Sequence, residues 1–240
     1  MKYCTALAAA ALPFVMSATA MAAPGLGTDV ASPGVEKGEG AVMARWASLE
    51  GGPDDGAGVF LIEGGYGVTD RLRLVVITEA EKEPGESRDV TVTGFEALYE
   101  LGSVGNFTFG LNGAYAVEFG APDKIEGKFL VQNETGPWDF RLNLTAAKPL
   151  ESGAPVELLY AASADVATTD ALRLGVQAFG ELGTSKDFLP RSEHFVGPAA
   201  KVAISGLGPE VELDFGYLFA IGAASDVTDG QLRVGIEFVF

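Results

Sequence analysis

The stretch Gly230-Gln-Leu-Arg-Val-Gly-Ile-Glu-Phe-Val-Phe240 decides the fold class. Leu232, Val234, Ile236, Phe238 and Phe240 share one parity, while Gln231, Arg233, Gly235 and Glu237 share the other. Successive side chains of a strand point to opposite faces, so this pattern is a strand with one apolar and one polar face. It ends the chain on an aromatic residue.

The same period of two recurs upstream. Twelve amphipathic segments lie near 39–48, 57–67, 71–79, 90–101, 106–118, 125–134, 138–147, 156–165, 171–182, 194–204, 209–221 and 231–240. Most have the length that a tilted strand needs to cross a bilayer. Phe107, Phe109, Leu111, Tyr115 and Val117 oppose Thr108, Gly110, Asn112, Ala114 and Glu118. Trp138, Phe140, Leu142 and Leu144 oppose Asp139, Arg141, Asn143 and Thr145. In segments with several charges, the charges fall opposite the aromatic face. An Arg or Lys on a lipid-facing surface costs about 2–4 kcal/mol at mid-bilayer, which gives this exclusion its cause.

The connections alternate in length. Short turns at 67–70, 102–105, 136–137, 166–170 and 205–208 alternate with longer polar or Gly/Pro-bearing loops near 49–56, 80–89, 119–124, 148–155, 183–193 and 222–230. The spacing predicts an all-β, transmembrane, antiparallel up-and-down β-barrel of twelve strands over residues 39–240, with both chain ends at the short-turn side. A secreted β-sandwich is the structural alternative, since alternating strands alone do not exclude it.

The N-terminus fits an exported chain. An apolar run, Ala6 to Val15, precedes Ser17-Ala-Thr-Ala-Met-Ala22. The run is too short for a membrane span, and Ala20 and Ala22 fit a small-x-small cleavage pattern. Residues 1–22 are expected to be a signal peptide cut near Ala22. Residues 23–38, rich in Gly, Ala and Pro, are expected to form an unstructured periplasmic lead-in, and no second domain or long plug is expected. The sole cysteine, Cys4, would leave with the signal. The mature chain then needs no disulfide and offers no thiolate.

Thirty-two glycines disfavour a helical protein. A net charge of −17 excludes general nucleic-acid binding by electrostatics. A Thr-Asp motif recurs at Thr69-Asp-Arg-Leu-Arg-Leu74, Thr169-Asp-Ala-Leu-Arg-Leu174 and Thr228-Asp-Gly-Gln-Leu-Arg-Val234. It reads as turn chemistry, with the Asp bonding its own backbone, followed by an Arg on the polar face. No cofactor is expected and no metal: the chain has one histidine, and its carboxylates lack ligand spacing.

Ser192-Glu-His194 sets a hydroxyl two residues from an imidazole, on one face of a strand. Outer-membrane lipid hydrolases use a His/Ser pair, but with His first. A lipid hydrolase is therefore the third reading, and no enzymatic activity is expected.

The polar parity supplies the candidate lumen. Its bases are Arg45, Arg71, Arg73, Lys128, Arg141, Arg173, Lys201 and Arg233. Its acids include Glu63, Glu96, Glu118, Glu157, Glu210, Glu212, Asp214 and Glu237. Eight-stranded barrels are filled by side chains and sixteen-stranded ones leave a channel, so twelve strands lie between. The inward glycines Gly65, Gly67, Gly110, Gly175, Gly197 and Gly235 favour open space. Dense Arg/Glu pairing favours closure.

The final strand, with Phe238 and Phe240, resembles the closing strand of Gram-negative outer-membrane barrels, whose terminal Phe is read by the barrel assembly machinery. The Thr-Asp-x-Leu-Arg-Leu turn, with a last hairpin like Gly216-Tyr-Leu-Phe-Ala-Ile-Gly-Ala-Ala-Ser-Asp226, resembles small porin-like barrels, some named for association with phenol degradation. The resemblance implies an outer-membrane site among lipid and lipopolysaccharide, and passage of small organic solutes. The function expected is a passive channel with slight cation preference, from the inward excess of acid. The alternative is a closed structural or surface-interaction barrel that does not conduct.

Overall fold

A computed structural model describes residues 23–206 and 208–240. The signal-peptide reading of residues 1–22 lies outside them. Twelve antiparallel strands close into a barrel, each paired with its sequence neighbours and β1 with β12. They are β1 Gly40–Glu50, β2 Gly58–Thr69, β3 Leu72–Lys82, β4 Asp89–Val104, β5 Phe107–Glu118, β6 Lys124–Thr135, β7 Trp138–Pro149, β8 Glu157–Ala167, β9 Leu172–Thr184, β10 Glu193–Ile204, β11 Glu210–Gly222 and β12 Gly230–Val239. The shortest has 10 residues, enough for a tilted strand to cross a hydrocarbon core. A single 3-10 turn, Ala224–Asp226, sits in the last loop.

Closure is completed by the chain terminus. Phe240 N–H donates to the Gly40 carbonyl at 2.9 Å, and Gly40 N–H to the Phe240 carbonyl at 2.8 Å. The Phe240 ring covers the Cα of Gly40, where a Cβ would lie 2.5 Å from a ring carbon. The barrel therefore has a turn end, with both of its termini and the short turns, and a loop end with the six longer connections.

The outward parity carries the apolar band that lipid requires. Val42, Ile62, Leu74, Val76, Phe95, Leu111 and Phe215 are all exposed. Stacked aromatic pairs gird the turn end: Phe107 on Phe109, Phe109 on Phe129, and Trp138 on Phe140.

The repeated Thr-Asp motif does make turns, but threonine closes them rather than aspartate. Thr69 Oγ1 accepts from the N–H groups of Arg71 and Leu72 at 3.2 and 3.0 Å. Thr169 Oγ1 accepts from Ala171 N–H, and Thr228 Oγ1 from Gly230 N–H. A hydroxyl two residues back reaches these donors without disturbing the strand that follows.

The largest departure from the sequence reading is the segment before β1. Residues 23–39 have no regular secondary structure, yet they are inside the barrel. They run from the loop-end half of β9 and β12 down to the turn end of β2 and β3, where Gly38 N–H donates to the Gly67 carbonyl. The segment is no periplasmic lead-in. Its backbone groups are too costly to bury unpaired, and inward polar side chains from strands far away in sequence satisfy them.

Candidate functional site

The site is the lumen, shaped by the segment that crosses it. From the loop end downward, Gln231 Nε2 donates to the Pro24 carbonyl at 3.0 Å. Arg233 donates to the carbonyls of Gly25 and Thr28, the latter at 2.5 Å. Its guanidinium carbon lies 4.2 Å from the centre of the Phe179 ring. Asn143 makes a two-point clamp on Ala31, accepting from its N–H at 2.7 Å and donating to its carbonyl at 3.0 Å. Ser32 donates to Gln132 at 2.7 Å. Val35 N–H donates to Glu100 at 3.1 Å, and Glu39 pairs with Arg73 at 2.5 Å.

Side-chain packing fills the loop-end half on the side of β1, β2 and β8–β11. Leu26 and Val30 join an inward apolar cluster with Met43, Ala47, Leu49, Val59, Leu61, Phe179, Phe195 and Leu218. Phe179, Phe195 and Leu218 are essentially inaccessible to solvent. Twelve strands exceed what their own side chains fill readily, and the threaded segment supplies the missing volume on this side.

The inward glycines accommodate neighbours rather than open water. At Gly110 an added Cβ would lie 2.9 Å from Pro33, and at Gly67 it would meet the Glu36 carbonyl. The Asp165 side chain lies against Gly175, and that of Asp214 against Gly235. Gly197 meets the backbone of β11, and Gly65 the Arg73 side chain.

Many side chains of the polar parity sit in ion pairs. Lys128 reaches Glu96 at 3.3 Å and Glu126 at 3.8 Å. Lys124 holds Glu118 at 2.8 Å, and Arg141 holds Asp139 at 2.7 Å. Arg173 pairs with Asp165, and Lys201 approaches Glu212 at 3.8 Å. Arg45 is buried, donates to Met43 Sδ at 3.0 Å and lies 3.7 Å from Asp29. Glu63 faces inward on β2, Glu157 opens β8 at the loop end, and Glu237 lies opposite Glu212. Arg71 is an exception. It sits in the turn between β2 and β3, exposed, and does not line the barrel. Glu210 is likewise exposed, at the turn-end start of β11.

The diagonal path of the segment leaves polar space on two sides. At the loop end, Glu118, Lys124, Glu126 and Lys128 remain partly accessible. At the turn end, a cavity of about 450 Å³ is lined by Thr168, Thr169, Arg173, Lys201, Glu210 and Glu212.

Residues the sequence reading missed include Asn112, Gln132 and Asn143, all buried. Of these, Asn143 bonds the backbone of Ala31, Gln132 bonds the side chains of Ser32 and Asp139, and Asn112 bonds Glu96; a buried inward amide is a signal that a polar partner faces it.

The Ser192/His194 pair is not assembled. Ser192 is buried and its Oγ points to the Pro190 carbonyl at 3.4 Å. His194 Nδ1 instead lies 3.2 Å from the Tyr160 hydroxyl. Among the described residues no cluster of His, Cys, Asp and Glu has metal-binding geometry.

No protein-family model and no curated relative matches the sequence. Solved structures do match in shape. A NanC porin is similar with a TM-score of 0.59 at 8% identity, covering 82% of this chain and 98% of that one. A KdgM porin gives 0.56 at 9% identity over 83% and 99%. An outer membrane channel from Pseudomonas putida F1 gives 0.59 at 12% identity over 88% and 98%. At these identities the likeness is one of fold, and the fold is the closed twelve-stranded barrel of porin-like outer-membrane proteins.

Proposed function

We propose that this chain is an outer-membrane channel that passes small solutes passively, with a slight preference for cations. The observation that carries the reading is a charged lumen with partly accessible side chains on both sides of the threaded segment. That the similar solved structures are porins and channels supports it. The loop end would face outward among lipopolysaccharide and the turn end the periplasm, as longer and shorter connections do in such barrels. Export would use residues 1–22, cut near Ala22, and assembly would use Phe238 and Phe240 as the terminal signal. Outer-membrane lipid, the assembly machinery and small solutes are the partners this reading requires; nucleic acid and enzymatic chemistry have no place in it.

The cation preference follows from charge. Inward acids outnumber inward bases, and Glu210, Glu212 and Asp214 stand at the periplasmic mouth. Carboxylates there concentrate cations and repel anions, most strongly at low salt. Planar-bilayer recording under a salt gradient tests this. A reversal potential of the cation-selective sign, reduced when these three residues are neutralised together, supports it. An anion-selective sign contradicts it.

The second reading is a closed barrel. It is favoured by one observation: Leu26, Phe179, Phe195 and Leu218 pack together in the outer half as a buried apolar cluster. Stable insertion with no conductance at any voltage would choose it.

A further inference from the structure

Asp29 is the residue on which the threaded segment brings a charge to the middle of the barrel. It lies one residue below Thr28, whose carbonyl Arg233 of β12 holds. It lies two residues above Ala31, clamped by Asn143 of β7. β12 and β7 are on nearly opposite sides of the ring, so residue 29 spans the gap between walls. Its electrostatic influence reaches Glu63 on β2, Lys128 on β6, Arg141 on β7, and Arg233 and Glu237 on β12.

Its own surroundings leave it open to ions. The Asp29 side chain is 40% accessible, whereas Arg45, its ion-pair partner at 3.7 Å, is 5% accessible. The partner is thus held back in the wall while the carboxylate stands toward the lumen. At 3.7 Å the contact exceeds hydrogen-bond length, so neutralisation by Arg45 is incomplete in space even where it is balanced in count.

We propose that Asp29 is the specificity-determining residue of the channel, setting which sign of ion passes the threaded segment. The inference rests on the channel reading above and adds a second determinant, on the N-terminal segment, to the mouth carboxylates. A single charge about 6 Å from a passing monovalent ion in water changes its local concentration by about threefold. Cations rise and anions fall, so the cation-to-anion ratio changes by about tenfold. Neutralising Asp29 also removes the carboxylate partner of Arg45, while Arg141 keeps Asp139 and Lys128 keeps Glu96 and Glu126.

The test is bilayer recording of the full-length chain, processed as the cell processes it, under a potassium chloride gradient. Asp29→Asn should lose the cation preference or reverse it, and Asp29→Glu should keep it. Because Asp29→Asn could misplace the segment during folding, the charge is also restored afterwards. Asp29→Cys is assembled first, then treated with an anionic or a cationic methanethiosulfonate reagent; Cys4 is the only other cysteine and lies in the expected signal. The sulfonate should return the reversal potential toward wild type, and the ammonium should drive it toward anions. A reversal potential that neither substitution nor complete labelling moves would overturn the proposal while leaving the channel reading intact. A conducting wild type without cation preference would overturn it too. A wild type that inserts and never conducts would defeat the channel reading itself.

Discussion

Replacing Arg233 with methionine should loosen the segment without dismantling the barrel. Arg233 is almost wholly buried, donates to the Gly25 and Thr28 carbonyls and lies over the Phe179 ring. Hydrogen bonds from a charged donor contribute about 1.5–3 kcal/mol each, and a desolvated cation–π contact about 2 kcal/mol. Part of that sum returns in the variant, because a buried guanidinium no longer has to be desolvated. Methionine also keeps much of the packing. A net loss of about 2–3 kcal/mol in segment docking results, so the undocked population rises roughly 30- to 150-fold. The assay is maleimide labelling of Val30→Cys in reconstituted barrels, since Val30 is buried against the apolar cluster. The labelling rate should rise by that factor when Arg233→Met is added, and single-channel conductance should rise with it. An unchanged rate in a normally folded barrel would refute the reasoning and show that Asn143, Gln132 and Leu26 hold the segment unaided.

Three further outcomes follow from the same geometry. Deleting Phe240 removes the hydrogen-bond pair with Gly40 and the ring over it; membrane yield and heat-modifiable migration should both fall, and normal values for both would count against a closing role. Purified protein in mixed lipid micelles should release no fatty acid with or without calcium, because Ser192 Oγ is turned to Pro190 and His194 to Tyr160; release abolished by both Ser192→Ala and His194→Ala would reverse this. In the last loop, the Arg191 hydrogen bond holds the Asp226 carboxyl below its usual range. A carboxylate so depressed contributes order that is present above its unfolded pKa and is lost as pH falls through the folded one. Hydrogen-exchange protection factors in residues 223–229 should therefore stay constant down to about pH 4 and fall only below it. The pair is exposed, so barrel stability should not follow. Loosening of the loop already near pH 6 would contradict the assignment.

The strands were legible because lipid and lumen are such different solvents. Phe215 and Asp214 are neighbours in sequence and lie on opposite faces, and that contrast repeats along much of the barrel. The threaded segment was not legible, for a physical reason. Its hydrogen bonds go to Asn143, Gln132, Glu100 and Arg233, each more than 60 residues away, so it has no local period to read. Its Gly and Pro content mimics a linker, yet Gly25 has φ of +91° and sits against Phe179 and Arg233. Some hints lay in the strands themselves. Phe195-Val196 and Leu218-Phe219 are apolar on both faces, the mark of a strand covered on both sides. Asn112, Gln132 and Asn143 are inward amides in need of partners. The glycines were read with the wrong sign, since a missing side chain makes room equally for water and for another stretch of backbone.

The proposed channel is narrowed by its own N-terminal segment. The most direct measurement is planar-bilayer conductance of the wild type beside a variant lacking residues 24–36, both checked for heat-modifiable folding. The account predicts a small, finite wild-type conductance of cation-selective sign and a severalfold larger conductance in the deletion. A folded, inserted wild type that stays silent at every voltage, while the deletion conducts, would contradict it and leave a closed barrel whose segment is a permanent part of its core.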